Sequence, residues 1–204
     1  MDRSNPMRLV IAVTGASGAL YAVRLLKAGL ELGLELDLVV SDYGKRLLIE
    51  ECGLNLKTDS VESWLDARYG ERQRPGSLRQ HPPHDLGDVL ASGSQHRDAM
   101  VVIPCSMKTL SAIAHGAATN LIERAADVTL KECRPLVLVP RECPLSLIHL
   151  ENLAAAARAG ARIVPAMPAF YFKPRSLEDL ADFIAGRVLS LLGVEHALYP
   201  PWAG

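Results

Sequence analysis

MRLVIAVTGASGALYAVRLLKAGLELGLELDLVVSD, residues 7–42, decides the fold. A short apolar run over 7–13 stops at Thr14-Gly15, the pattern of a strand buried on both faces. From 17 to 33 the period changes. Leu20, Val23, Leu25, Leu26, Leu30 and Leu32 recur at roughly helical spacing. Ser17 or Thr14 stands where the first free amides of that helix need a cap. A second apolar run over 36–40 ends at Ser41-Asp42. Strand, helix, strand in this order is a βαβ unit.

Reading outward, the same alternation continues to the far end of the chain. Strands are expected at 99–104, 135–140 and 161–165. Helices are expected at 43–51, 60–67, 106–115, 120–131, 145–159 and 176–193, the last with Ser176 as its cap and Glu178 and Asp179 in its first turn. Residues 69–87 carry Arg, Gln, Pro, Gly and His without periodicity and read as a surface loop. No internal repeat is visible. The expectation is an α/β fold, a three-layer, doubly wound and mainly parallel sheet. It is expected as one domain over 1–204, with 7–193 as the core and 194–204 as a tail.

Composition narrows the function. Basic and acidic residues number 22 and 23, for a net charge of -1, which argues against a general nucleic-acid binder. No run approaches the roughly 18 apolar residues that span a bilayer, so no membrane association is expected. The opening residues do not read as a signal peptide, because their apolar run is short and leads into a glycine turn. Cys52, Cys105, Cys133 and Cys143 form no CxxC pair and no zinc-ligand spacing. They read as reduced thiols of a cytoplasmic protein, with no metal site. At 49% apolar and 5% aromatic, the core is built from aliphatic side chains.

In a doubly wound sheet, ligands bind beyond the carboxyl ends of the strands. Five segments there carry chemistry. TGASGA (14–19) offers small residues that let backbone amides approach an anion or a ring edge, or simply a tight strand–helix turn. PCSMKT (104–109) brings two hydroxyls and an ammonium to a helix start. Ser106 as a cap and Lys108 facing solvent is the plainer reading. Cys105 reads as a small buried apolar residue. VPRECP (139–144) sets Arg141 and Glu142 at a strand end. Arg141 suits a phosphate and Glu142 a proton transfer, unless they are only a surface ion pair. PAFYFKP contributes Tyr171. Arg187, among Ile184, Val188 and Leu191, needs an anionic partner if buried, and snorkels if not. In LIERAADVTLK, Arg124 and Lys131 share a helix face.

Taken in order, GASGALYAVRLL, PCSMKTLSAIAHG, NLIERAADVTLKECRPLVLVPRECPLSLIHLENL, GARIVPAMPAFYFKP and GRVLSLLG closely resemble the UbiX-type flavin prenyltransferase family. The likeness runs from about residue 7 to 202, apart from the loop at 69–87. The resemblance implies a Rossmann-like, flavodoxin-related flavoprotein fold and a homo-oligomer, usually a dodecamer, with FMN bound where subunits meet. It implies transfer of a dimethylallyl group from dimethylallyl phosphate to N5 of reduced FMN, with ring closure at C6 and no metal. The prenylated FMN serves a UbiD-type decarboxylase.

By the same resemblance, Gly15, Ala16, Ser17, Ser41, Ser106, Met107, Lys108, Thr109 and Arg141 hold FMN. Tyr171 and Arg187, with Lys131 and Arg141, face the prenyl phosphate; on physical grounds Trp202 of the tail, where it docks, offers the prenyl group an aromatic face. Glu142, Lys131 and Ser17 serve the chemistry, and Arg124, Glu51 and Ser92-Gly93-Ser94 lie nearby. Ala22 and Cys143 depart from the usual family residues. Two other readings compete: a flavin-dependent cysteine decarboxylase, whose PASANT and PxMNxxMW motifs are replaced here by PCSMKT and PAMPAFYF, and a non-catalytic FMN carrier.

Overall fold

The computed structural model describes residues 6–200 and 202. Strand β1 (Arg8–Val13) is followed by α1 (Ala19–Glu31), β2 (Glu35–Val40) and α2 (Asp42–Leu47). Then come α3 (Val61–Tyr69), β3 (Ser77–His81), β4 (Ala99–Cys105), α4 (Met107–Ala114) and α5 (Leu121–Lys131). The chain closes with β5 (Leu136–Pro140), α6 (Leu147–Arg158), β6 (Arg162–Ile163) and α7 (Leu177–Leu191). All six strands are parallel, in the order β3-β2-β1-β4-β5-β6. This is the Rossmann strand order, and its switch point lies between β1 and β4.

Alternation along β1 shows how the two faces fill. Leu9, Ile11 and Val13 point to one side, where Leu25 and Leu26 of α1 and Ile184 and Val188 of α7 cover them. Val10 and Ala12 point to the other, under Leu110 of α4, Ile122 and Ala126 of α5 and Ala156 of α6. Arg24 of α1 clasps Asp182 of α7 through Nε at 2.6 Å and Nη2 at 2.5 Å, which fixes the register of those two helices.

Several expectations change. The helix expected at 43–51 begins as α2 and widens into a π turn at Leu48–Cys52 before stopping at Gly53, whose φ is 73°. The strand expected at 161–165 is reduced to the two residues of β6. Neither Ser17 nor Thr14 caps α1. Gly18, at φ 114°, holds the cap position without a side-chain bond. Instead the Glu51 carboxylate accepts from both Gly18 N and Ala19 N at 2.8 Å. Thr14 bridges strands, donating from Oγ1 to Pro104 O at 2.9 Å and accepting from Ser106 N at 2.8 Å.

The segment at 69–87 is not simply a loop, because it contains β3. That strand lies at the sheet edge and has only Leu78 as an apolar residue, so periodicity could not reveal it. Its order comes from pairing with β2 and from Gly76 N and Ser77 N donating to Leu30 O and Leu34 O. At its end, buried His81 is held between Asp37 and Asp88, each at 2.7 Å.

Candidate active site

The carboxyl ends of β1, β2 and β4 frame a cavity of about 390 Å³, within the range of small-molecule sites. Each strand delivers one of its walls. Gly15 follows β1, Ser41 follows β2, and Ser106, Lys108 and Thr109 follow β4. Five of the residues expected to hold a flavin therefore meet at one place. Gly15 is required by close approach: a Cβ there would stand 2.7 Å from Tyr43 Cβ. Gly44 is tighter still, since its Cβ would meet Val13 O at 2.6 Å. The absence of both side chains lets α2 press against the end of β1.

Ser106 does two things. It lines the cavity and caps α4 by accepting from Thr109 N at 3.3 Å, while its hydroxyl donates to Thr109 Oγ1 at 3.1 Å. Lys108 is largely exposed, with its ammonium 3.3 Å from Glu123 Oε1. Glu123 is buried, and burial opposes its charge. Hydrogen bonds from Thr119 Oγ1, Thr119 N and Lys108 outweigh that cost and hold the carboxyl below its ordinary range. Ala16 and Met107 are buried, Met107 in the core cluster on the α4 face of the sheet, and neither is among the residues that line the cavity. Cys105 is fully buried, and burial pushes its thiol well up, as suits a packing role.

Arg141 joins this region from β5. Its Nε donates to Ser17 O at 2.9 Å, placing the guanidinium over the glycine turn. Burial pushes the Tyr21 phenol up, and nearby Arg141 opposes that in part. Glu142 is exposed, and one carboxylate oxygen accepts from Cys143 N at 3.0 Å.

The remaining expected residues lie elsewhere on the single chain. Tyr171 sits in an aromatic cluster, edge-on to Trp202 at 4.9 Å and to Phe183 at 6.1 Å. The tail thus folds back on its own chain. Arg187 is exposed on α7 and has no ion pair among the described residues, so of its two readings the exposed one holds on the single chain. Lys131 ends α5 and lines a separate cavity with Asp127 and Glu123. Asn120, the cap at the other end of α5, lines the first cavity. At 1.5 Å per residue the two lie roughly 16 Å apart. Arg124 donates to Ala91 O and pairs with Asp127, and Arg134 donates to Gly93 O, pinning the 92–94 turn beside α5.

Asp42, Tyr43, Pro83, His84, Asn120 and Ile122 also line the first cavity. Asn120 was legible only as a helix cap, and Pro83 and His84 lay in the stretch without a pattern. A glycine edge, four hydroxyls, one amide, one imidazole, one ammonium and a single carboxylate, with Pro83 and Ile122 as apolar surface, suit a planar ligand that carries a phosphate. FMN is such a ligand.

The sequence matches the Flavoprotein family over residues 2–189. It is 45% identical over 194 residues to the flavin prenyltransferase UbiX of Alkalihalophilus pseudofirmus, covering 95% of each chain. Among solved structures it resembles AnUbiX (PadA1) in complex with FMN and dimethylallyl pyrophosphate. The TM-score is 0.88 at 40% identity, over 98% of this chain and 99% of that one. It also resembles a dodecameric FMN-dependent Ubix-like decarboxylase from Escherichia coli O157:H7, with a TM-score of 0.84 at 42% identity, over 97% and 100%. With its strand order, its cavity at the switch point and these likenesses in agreement, the chain belongs to the UbiX flavin prenyltransferase family.

Proposed function

We propose that this protein is a cytoplasmic flavin prenyltransferase. It takes a dimethylallyl group from a dimethylallyl phosphate ester, breaks the C–O bond, and joins the five-carbon unit to N5 and then C6 of FMN. The observation that carries the reading is the meeting of Gly15, Ser41, Ser106, Lys108 and Thr109 around one cavity, with Arg141 reaching the same turn. When bound, reduced FMN supplies the nucleophilic nitrogen and the carbon that closes the ring.

The protein's own groups do the rest. Arg141, Lys131, Arg187 and the Tyr171 hydroxyl neutralise the charge that gathers on the departing phosphate, a task that needs no metal. Trp202 and Tyr171, packed edge to face, exclude water from the allylic carbon and offer it aromatic surface. Ser17 hydrogen-bonds near N5. Glu142 accepts the proton released when the ring closes at C6.

Lys131 lies at the end of α5 remote from the cavity, so it reaches a flavin only from a neighbouring subunit. The exposed apolar residues Leu147, Ile148 and Leu150 of α6 are suited to such packing, and the assembly proposed is a dodecamer. The product, prenylated FMN, passes to a UbiD-type decarboxylase. The test is reconstitution. Incubated without oxygen with reduced FMN and dimethylallyl phosphate, the protein should yield a filtrate that activates an apo decarboxylase of that type. A filtrate no better than FMN alone would leave only a flavin carrier.

A further inference from the structure

The segment after β3 supplies a wall of the cavity, and it ends in a histidine that no expected role uses. Pro83 and His84 line the cavity beside Ser41, Ser106 and Lys108. The backbone there is fixed: Pro83 O accepts from Leu121 N at 2.8 Å, which ties the segment to the start of α5. The imidazole is fixed as well. His84 Nε2 stands 2.9 Å from Asp42 Oδ2, and Asp42 also takes Lys45 at 3.2 Å. The His84 hydrogen bond, followed by that of Lys45, holds the Asp42 carboxyl below its ordinary range.

We infer that His84, oriented by Asp42, is a ligand-contacting residue that reads the phosphate of the bound flavin. An exposed His–Asp pair contributes little to folding stability, so the fold itself has small need of it. The geometry, by contrast, is that of an oriented ligand. A ring that donates Nε2–H to a carboxylate has its tautomer set, and its other nitrogen is committed to whatever faces it. Among the described residues Nδ1 has no hydrogen-bond partner. Asp42 of α2 pairs with this ring, Lys45 pairs with Asp42, and Lys108 of α4 lines the same cavity. The Lys108 ammonium is partly engaged by Glu123. A phosphate placed among the Ser41, Ser106 and Thr109 hydroxyls brings an oxygen to the second ring nitrogen, and one proton joins the two in a hydrogen bond.

The inference rests on the reading of the cavity as the flavin site, and the experiment separates the two. FMN and riboflavin differ by the phosphate alone. Their dissociation constants are measured by flavin fluorescence for the wild type and for His84→Ala, a change at an exposed side chain that leaves the fold intact. The expected result is an FMN affinity about tenfold weaker in His84→Ala, with riboflavin affinity unchanged. FMN binding equal to wild type, or parallel losses for the two flavins, would overturn the assignment while the flavin site stands. A wild type that binds neither flavin would overturn both.

Discussion

Glu51 occupies the amides at the start of α1, where many nucleotide-binding folds seat a phosphate. An anion entering the cavity is therefore met by other residues, the hydroxyls and cations that follow β2 and β4. This division gives each charged residue a separate duty. Arg141 is tied to the glycine turn beside the cavity, whereas Arg187 stands on α7 with no internal partner among the described residues. An arginine kept unpaired in this way is available to a substrate anion. Arg187→Ala should leave FMN affinity largely unchanged and lower turnover by about a hundredfold or more, since it removes charge stabilisation needed only as the phosphate departs. Flavin titration beside single-turnover kinetics checks this, and loss of flavin from the variant would contradict the assigned role. At this scale the positions of motif residues beside the cavity, such as Ser106 and Arg141, were legible in the sequence. The position of His84 was not, because it depends on a tertiary neighbour and nothing local marks it.

Among the elements, α2 and α5 set the cavity's shape. Gly44 lets α2 lie against Val13 O, and this contact places Ser41 and Tyr43. Gly44→Ala forces a methyl against backbone, at a cost of about 1–3 kcal/mol. Thermal melts should show a Tm lower by roughly 2–10 °C, with weaker flavin binding. At the start of α5, against the cost of burial, hydrogen bonds from Thr119 and Lys108 hold the Glu123 carboxyl below its ordinary value of 4.5. A carboxyl whose folded pKa is depressed adds stability that is complete above pH 4.5 and is lost as pH falls through the folded value. Glu123→Gln should therefore be less stable than wild type at neutral pH, and the gap should narrow in acid denaturation below that pH.

The elements themselves were mostly legible. Continuous apolar runs marked β1, β2, β4 and β5, and helical spacing marked α4 to α7, with Ser106, Asn120 and Ser176 read as the caps of α4, α5 and α7. What escaped lies at the sheet's margins. β3 is an edge strand with one apolar side chain, whereas β6 was expected at 161–165 and only its length differs. The α1 cap escaped too, because the capping carboxylate comes from Glu51, far along the chain.

Across the whole molecule, the residues proposed to act fall into groups that do not share a cavity on the single chain. One surrounds the switch point, and another comprises Tyr171 and Trp202 in the tail cluster, with Lys131 and Arg187 apart on α5 and α7. The proposed assembly joins them, and α6 presents the apolar side chains for it. Ile148→Glu should shift the protein to smaller species in light scattering after size exclusion, and turnover should fall with it. Were this variant to keep full activity as a monomer, Lys131 would have no route to the site.

The central claim is that this protein builds a carbon bond on its flavin rather than merely carrying it. The direct measurement is the mass of the flavin after anaerobic incubation of the protein with reduced FMN and dimethylallyl phosphate. A prenyltransferase returns a flavin heavier by one five-carbon prenyl unit, with one phosphate released for each flavin modified; recovery of unaltered FMN from a protein that binds it tightly would contradict this.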